Sequence, residues 1–138
     1  MRATMYLLGL TALLCTPGLF ADESATKPTR FFEQRIYITH PGKLDALHQR
    51  FRDHTNRLFQ KHGMELIAYW TPVEGEDASN TLIYVLAYPD REARDKSWKA
   101  FLDDPEWKKA YEESHKAGPI VMKVESKFLT PTDYSPIK

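Results

Sequence analysis

Residues 44–72 pass from a helical pattern to a strand pattern with one glycine between them, and this leaves the chain few folds to choose from. Leu44, Leu47, Phe51, Thr55, Leu58 and His62 recur at about 100° per residue, the period of an amphipathic helix. Gly63 is a natural stop for that helix because it tolerates positive φ. Residues 64–71 then read as a strand, closed by Pro72. A helix that turns straight into a strand must lay its apolar stripe against the sheet that the strand joins. His54 at the stripe edge and the aromatic strand end Tyr69-Trp70 are thereby expected near one helix–sheet seam.

The remaining segments supply the sheet and a second pair of helices. Residues 31–39 alternate over Glu33-Gln34-Arg35-Ile36-Tyr37-Ile38, a strand signal, and His40-Pro41-Gly42 breaks it. Pro41 suits a first helical turn. Residues 81–88 are apolar on both faces from Leu82 to Ala87, as a central strand would be. Asp90 can cap a helix running to about Leu102, and Asp103-Asp104-Pro105-Glu106 opens a shorter one. Gly118-Pro119 ends it. Residues 120–129 alternate again, with Met122, Val124 and Phe128 opposite Lys123, Glu125 and Lys127. The order β-α-β-β-α-β, with one extra short helix, is an α+β, ferredoxin-like arrangement on an antiparallel sheet. Its helices cover one sheet face. Ile83, Val85 and Tyr37 are too apolar to leave the other face in water, and a symmetric homodimer closing sheet on sheet would cover them.

With those elements placed, the chain resembles the NIPSNAP family of the dimeric α+β barrel superfamily. The matching pieces are Glu33-Gln34-Arg35-Ile36-Tyr37 with Pro41-Gly42-Lys43-Leu44, and Lys61-His62-Gly63 with Tyr69-Trp70-Thr71. Leu86-Ala87-Tyr88 and Asp104-Pro105-Glu106-Trp107 follow in order. The likeness runs from about Phe31 to Pro131. It implies a dimer whose paired sheets form a barrel. It brings no settled reaction, and relatives in the wider superfamily include cofactor-independent monooxygenases, haem-handling proteins and ligand binders, several with the ligand between sheet and helices.

The first 21 residues read as a signal peptide: Met1-Arg2, an apolar run from Tyr6 to Leu14, and a cleavage region ending at Ala21. The run is shorter than the roughly 20 apolar residues a membrane span needs, so export to the periplasm or beyond is expected, with no stable membrane anchor. Residues 22–30 form a flexible leader, residues 31–131 the domain, and residues 132–138 an extended tail. Cys15 is the only cysteine and would leave with the signal, removing thiol chemistry from the mature chain. The formal charge is zero, or −1 without Arg2, and no basic face points to nucleic acid.

Candidate functional residues follow from this layout. His54 can serve as a proton acceptor or ligand contact, with an unperturbed pKa near 6.5, or it is a half-buried histidine bonded locally. Tyr69, Trp70 and Trp98 offer apolar surface with a polar handle, suited to a flat organic ligand or to core packing. Ala93, Ser97 and Ala100 around Trp98 leave room for a ligand or let the helix approach the sheet. His62 suits a helix end. His48, His54 and His62 lie six and eight residues apart, so no helical metal pair forms, and neither a metal site nor a cofactor is expected. Glu33 and Arg35, with the charges of residues 120–129, read as solvent-facing or as ion pairs across a dimer. No nucleophile elbow or phosphate loop is present. Two readings result: a small-molecule binder, with cofactor-independent oxidation or isomerisation if it has chemistry, and a non-catalytic structural or protein-interaction homodimer.

Overall fold

In a computed structural model of the protein, residues 30–138 are described. The expected signal peptide and most of the expected leader lie outside them. Four strands, β1 (Phe31–Thr39), β2 (Glu65–Trp70), β3 (Thr81–Tyr88) and β4 (Val121–Leu129), form one antiparallel sheet in the order β2-β3-β1-β4. Helix α1 (Leu44–Arg50) continues through a π-helical turn (Phe51–Thr55) into α2 (Asn56–Lys61). Helices α3 (Arg91–Asp103) and α4 (Pro105–Ser114) complete a layer over one sheet face. This is the ferredoxin-like α+β order read from the sequence, with β3 in the interior as its two-sided apolar run requires.

Register assigns the faces. Directly paired residues share a face, so Glu33, Arg35 and Tyr37 of β1 lie beside Leu86, Tyr84 and Leu82 of β3, under the helices. Tyr37 therefore does not belong to the outer face: its ring meets Phe51 and Tyr84 edge-on at 6.1 and 5.3 Å. Ile83 and Val85 do face outward and are half-buried. The C-terminal tail turns back across this outer side, where Pro131 and Ile137 join Phe32, Val85 and Trp70 around a shallow depression. In β2 a bulge at Ile67 keeps Leu66 and Tyr69 on the helix side.

Two acidic caps set the helix starts. Asp90 accepts a hydrogen bond from the Ala93 amide at 2.7 Å, and Asp104 accepts one from the Glu106 amide at 2.8 Å. Asp104 also receives Lys61 Nζ and His62 Nε2, each at 2.7 Å, tying the end of α2 to the start of α4. These three donors hold its carboxyl below the usual carboxylate range, and they give His62 a structural task at the helix end. Gly63 takes φ +78°, and a Cβ there would sit 3.7 Å from Ser97 Oγ. Ser97 thus lets α3 lie close to the turn. The space around Gly63 tolerates a methyl group, but the left-handed backbone does not. Gly63→Ala should cost about 1–2 kcal/mol through φ alone, read as a lower urea midpoint with an unchanged m-value.

Candidate functional site

The π-helical turn shapes the site. The Asn56 amide donates to the Phe51 carbonyl, five residues back, and Thr55 Oγ1 donates to the Arg50 carbonyl at 3.2 Å. An extra residue in the turn shifts the phase of the helical stripe. Thr55 stays on the buried stripe, as its spacing predicts, while the edge residue His54 turns toward α4. The same shift buries Arg50 beside Phe51, leaving its side chain 4% exposed.

Between this segment, α3, α4 and strands β1 and β4 lies an open cleft of about 630 Å3. Its aromatic lining comes from Tyr37, Phe51, Phe59, Trp98, Trp107 and Tyr111. Its charged lining comes from Arg35, Arg94 and Arg50, with Lys123 at the β4 edge. Val121, Met122 and Val124 form the rim.

At the α3 end, Glu33 is wholly buried and organises the wall. Arg94 forks onto its two oxygens, Nη2 to Oε1 at 2.7 Å and Nε to Oε2 at 2.8 Å. Arg35 Nη1 and Ser126 Oγ donate to Oε1 at 2.8 and 2.7 Å. Trp98 Nε1 is shared between Oε2, at 3.0 Å, and the Tyr88 hydroxyl, at 2.9 Å. Burial alone would raise the Glu33 pKa, but the bonds from Arg94, Ser126 and Arg35 with the Arg35 charge hold it down to about 2. The Arg35 guanidinium in turn stacks 4.3 Å over the Trp98 ring. Burial raises the Tyr69, Tyr84 and Tyr88 hydroxyls above their ordinary value, so they remain protonated donors.

At the α4 end, Arg50 lies near the rings of Trp107 and Tyr111, at 5.4 and 5.5 Å. Its Nη1 reaches Ser114 Oγ at 3.3 Å, and its Nε is buried with no partner. Burial lowers its pKa from that of a free guanidinium, though an arginine stays cationic at neutral pH.

The four residues singled out from the sequence do not meet at one place. Trp98 lines the cleft. His54 lies outside it, in an adjoining groove with Asp53, Glu113 and Ser114 that shares Arg50 with the cleft. Tyr69 packs below Phe51 and stacks on Tyr84 at 5.5 Å, with its hydroxyl buried and unpartnered. Trp70 is on the outer face, 52% exposed. Sequence reasoning missed Arg50, Arg94 and the buried position of Glu33 and Arg35. The available signal was β1 itself, whose charged residues alternate with Ile36 and Ile38. Among the described residues, no group of three or more His, Cys, Asp or Glu side chains is placed to hold a metal ion.

Sheet order, helical layer and cleft define a ferredoxin-like α+β domain with a charged and aromatic cavity between its layers. The NIPSNAP family model matches residues 32–136, and the chain belongs to the NIPSNAP family. Among solved structures it is similar to an uncharacterized NIPSNAP-like domain protein from Burkholderia xenovorans, at 24% identity over 80% of this chain and 91% of that chain, with a TM-score of 0.69. It is also similar to a NIPSNAP family protein of unknown function from Agrobacterium tumefaciens, at 21% identity over 80% and 96% of the two chains, with a TM-score of 0.70. A second Agrobacterium tumefaciens NIPSNAP family protein gives 22% identity over 79% and 99%, again at 0.70. At these identities the solved structures show the fold alone. Comparison with curated proteins gives no match.

The Glu33 cluster makes a pH prediction. Its folded pKa lies below the unfolded value, so its contribution is present above about pH 4.5 and is lost as pH falls toward 2. Between pH 5 and pH 2.5 wild-type protein should lose about 2 kcal/mol more than Glu33→Gln, on the order of 1.36 kcal/mol per pKa unit. Urea midpoints taken at pH 5 and pH 2.5 check this.

Proposed function

We propose that this chain is an exported, homodimeric binding domain that holds a small molecule with an apolar or aromatic body in the helix–sheet cleft. The observation that carries the reading is the cleft itself. It is open at about 630 Å3, within the range of small-molecule sites, and its wall is built from aromatic rings and fixed guanidinium groups. A purely structural homodimer would fill such a space with its own side chains, so the open cavity favours the binder. Trp98 supplies the principal ring contact, held in orientation by its shared bond to Glu33 and Tyr88.

Binding has more support than chemistry. A carboxylate held at a pKa of about 2 is a weak base, and buried phenols with raised pKa values do not ionise near neutrality. His54, the proton acceptor considered for cofactor-independent oxidation or isomerisation, lies outside the cleft lining. Support for the homodimer comes from apolar surface left uncovered. Met122 and Phe128 are exposed on edge strand β4, and Ile36 and Ile83 are half-covered on the outer face.

Native mass spectrometry of protein purified from its own host tests these points together. The expected result is a dimer, each subunit beginning at Asp22, with a retained organic molecule. A monomer at micromolar concentration would count against the dimer, and an intact N-terminus against export. Val124→Trp should fill the rim from exposed edge-strand surface, lowering ligand retention by about tenfold or more while leaving the thermal midpoint nearly unchanged. Undiminished retention in that variant would move the ligand out of the cleft.

A further inference from the structure

Of the four cations that line the cleft, three have a carboxylate partner and Arg50 has none among the described residues. Arg35 and Arg94 face Glu33, and Arg94 also bonds the exposed Asp95, which it shares with Arg91. Lys123 pairs with Glu125 at 2.7 Å. Arg50 makes no ion pair with any described residue. The only hydrogen bond of its guanidinium among the described residues is the one to Ser114 Oγ, and Nε is left without a partner although the side chain is almost wholly buried. A guanidinium removed from water without a counter-charge is costly, and its planar fork matches a carboxylate. The π-helical turn puts it there, and Trp107 and Tyr111 hold its plane.

We infer that the ligand of the cleft is a small organic monocarboxylate, its carboxylate seated on Arg50 and its apolar body lying along the aromatic wall toward Trp98. One unmatched positive charge suits a monoanion. A phosphate monoester, carrying nearly two negative charges, would leave one uncompensated in a buried place. The apolar body follows from the rings between the two ends of the cleft. Only the carboxylate assignment is new, and it rests on the cleft being the binding site.

A matched acid and amide separate the two claims. 2-Naphthaleneacetate and 2-naphthaleneacetamide have the same ring and differ in the charge of the head group. Titrated calorimetrically against the full mature protein at neutral pH, the acid should bind roughly tenfold to a hundredfold tighter than the amide, as a charge-assisted bond to an otherwise unpaired cation implies. Arg50→Gln should abolish that preference, with the acid losing more affinity than the amide. Arg50→Lys, which keeps the charge and loses the fork, should retain part of it. The wild-type preference stands as a test even if the glutamine variant does not fold. Equal affinity for acid and amide, or displacement of the acid by inorganic phosphate at similar concentration, would overturn the carboxylate assignment while the cleft reading stands. If neither compound binds, both readings fall. A preference that survives in Arg50→Gln would place the carboxylate on another group and likewise overturn the inference.

Discussion

The Glu33 carboxylate is the interaction on which the rest of the site depends. It sits on β1, fully buried under the helices, and gathers Arg94 and Trp98 from α3, Ser126 from β4 and Arg35 from its own strand. A buried carboxylate with one donor would be a liability, because desolvation would exceed the gain. With both oxygens occupied by charged and neutral donors it becomes a junction between sheet and helix. Removing it would leave two largely buried guanidinium groups without their shared counter-charge. That cost also explains why the α3 end of the cleft stays open: the polar groups are committed to one another, so the side chains cannot collapse into the cavity.

The opposite end is built by a different device. A π-helical turn in the middle of a long amphipathic helix leaves Arg50 in the layer between helix and sheet, keeps Thr55 on the buried stripe and sets His54 outside the cleft. Within the turn the Thr55 hydroxyl donates to the Arg50 carbonyl. One end of the cleft is therefore electrically closed and rigid, and the other presents a cation in need of a partner. Aromatic rings span the distance between them, with Phe59 and Phe101 at 4.8 Å and Phe101 and Trp107 at 4.4 Å. The cavity is a consequence of how these groups are anchored.

The secondary structure was readable from the chain because each boundary has local chemistry. Gly63 ends a helix, Asp90 and Asp104 start two, and the doubly apolar run of β3 demands an interior place. The family was readable from the order of several short pieces. The site was much less legible. Alternating charges on β1 look like a solvent face, and only tertiary pairing with Arg94 and Trp98 reveals that they point inward. The π-helical turn leaves no compositional mark, so helical periodicity kept His54 at the seam and overlooked Arg50. Trp98 was found because a large ring among small neighbours stands out, whereas Tyr69 and Trp70, adjacent in sequence, are sent to opposite sheet faces by the alternation of the strand.

A crystal structure of the protein soaked with 2-naphthaleneacetate tests the central claim most directly. The account predicts the naphthyl ring between Trp98 and Trp107, with the carboxylate on the Arg50 guanidinium. An empty cleft at saturating concentration, or the compound bound only on the outer sheet face beside Trp70, would contradict it.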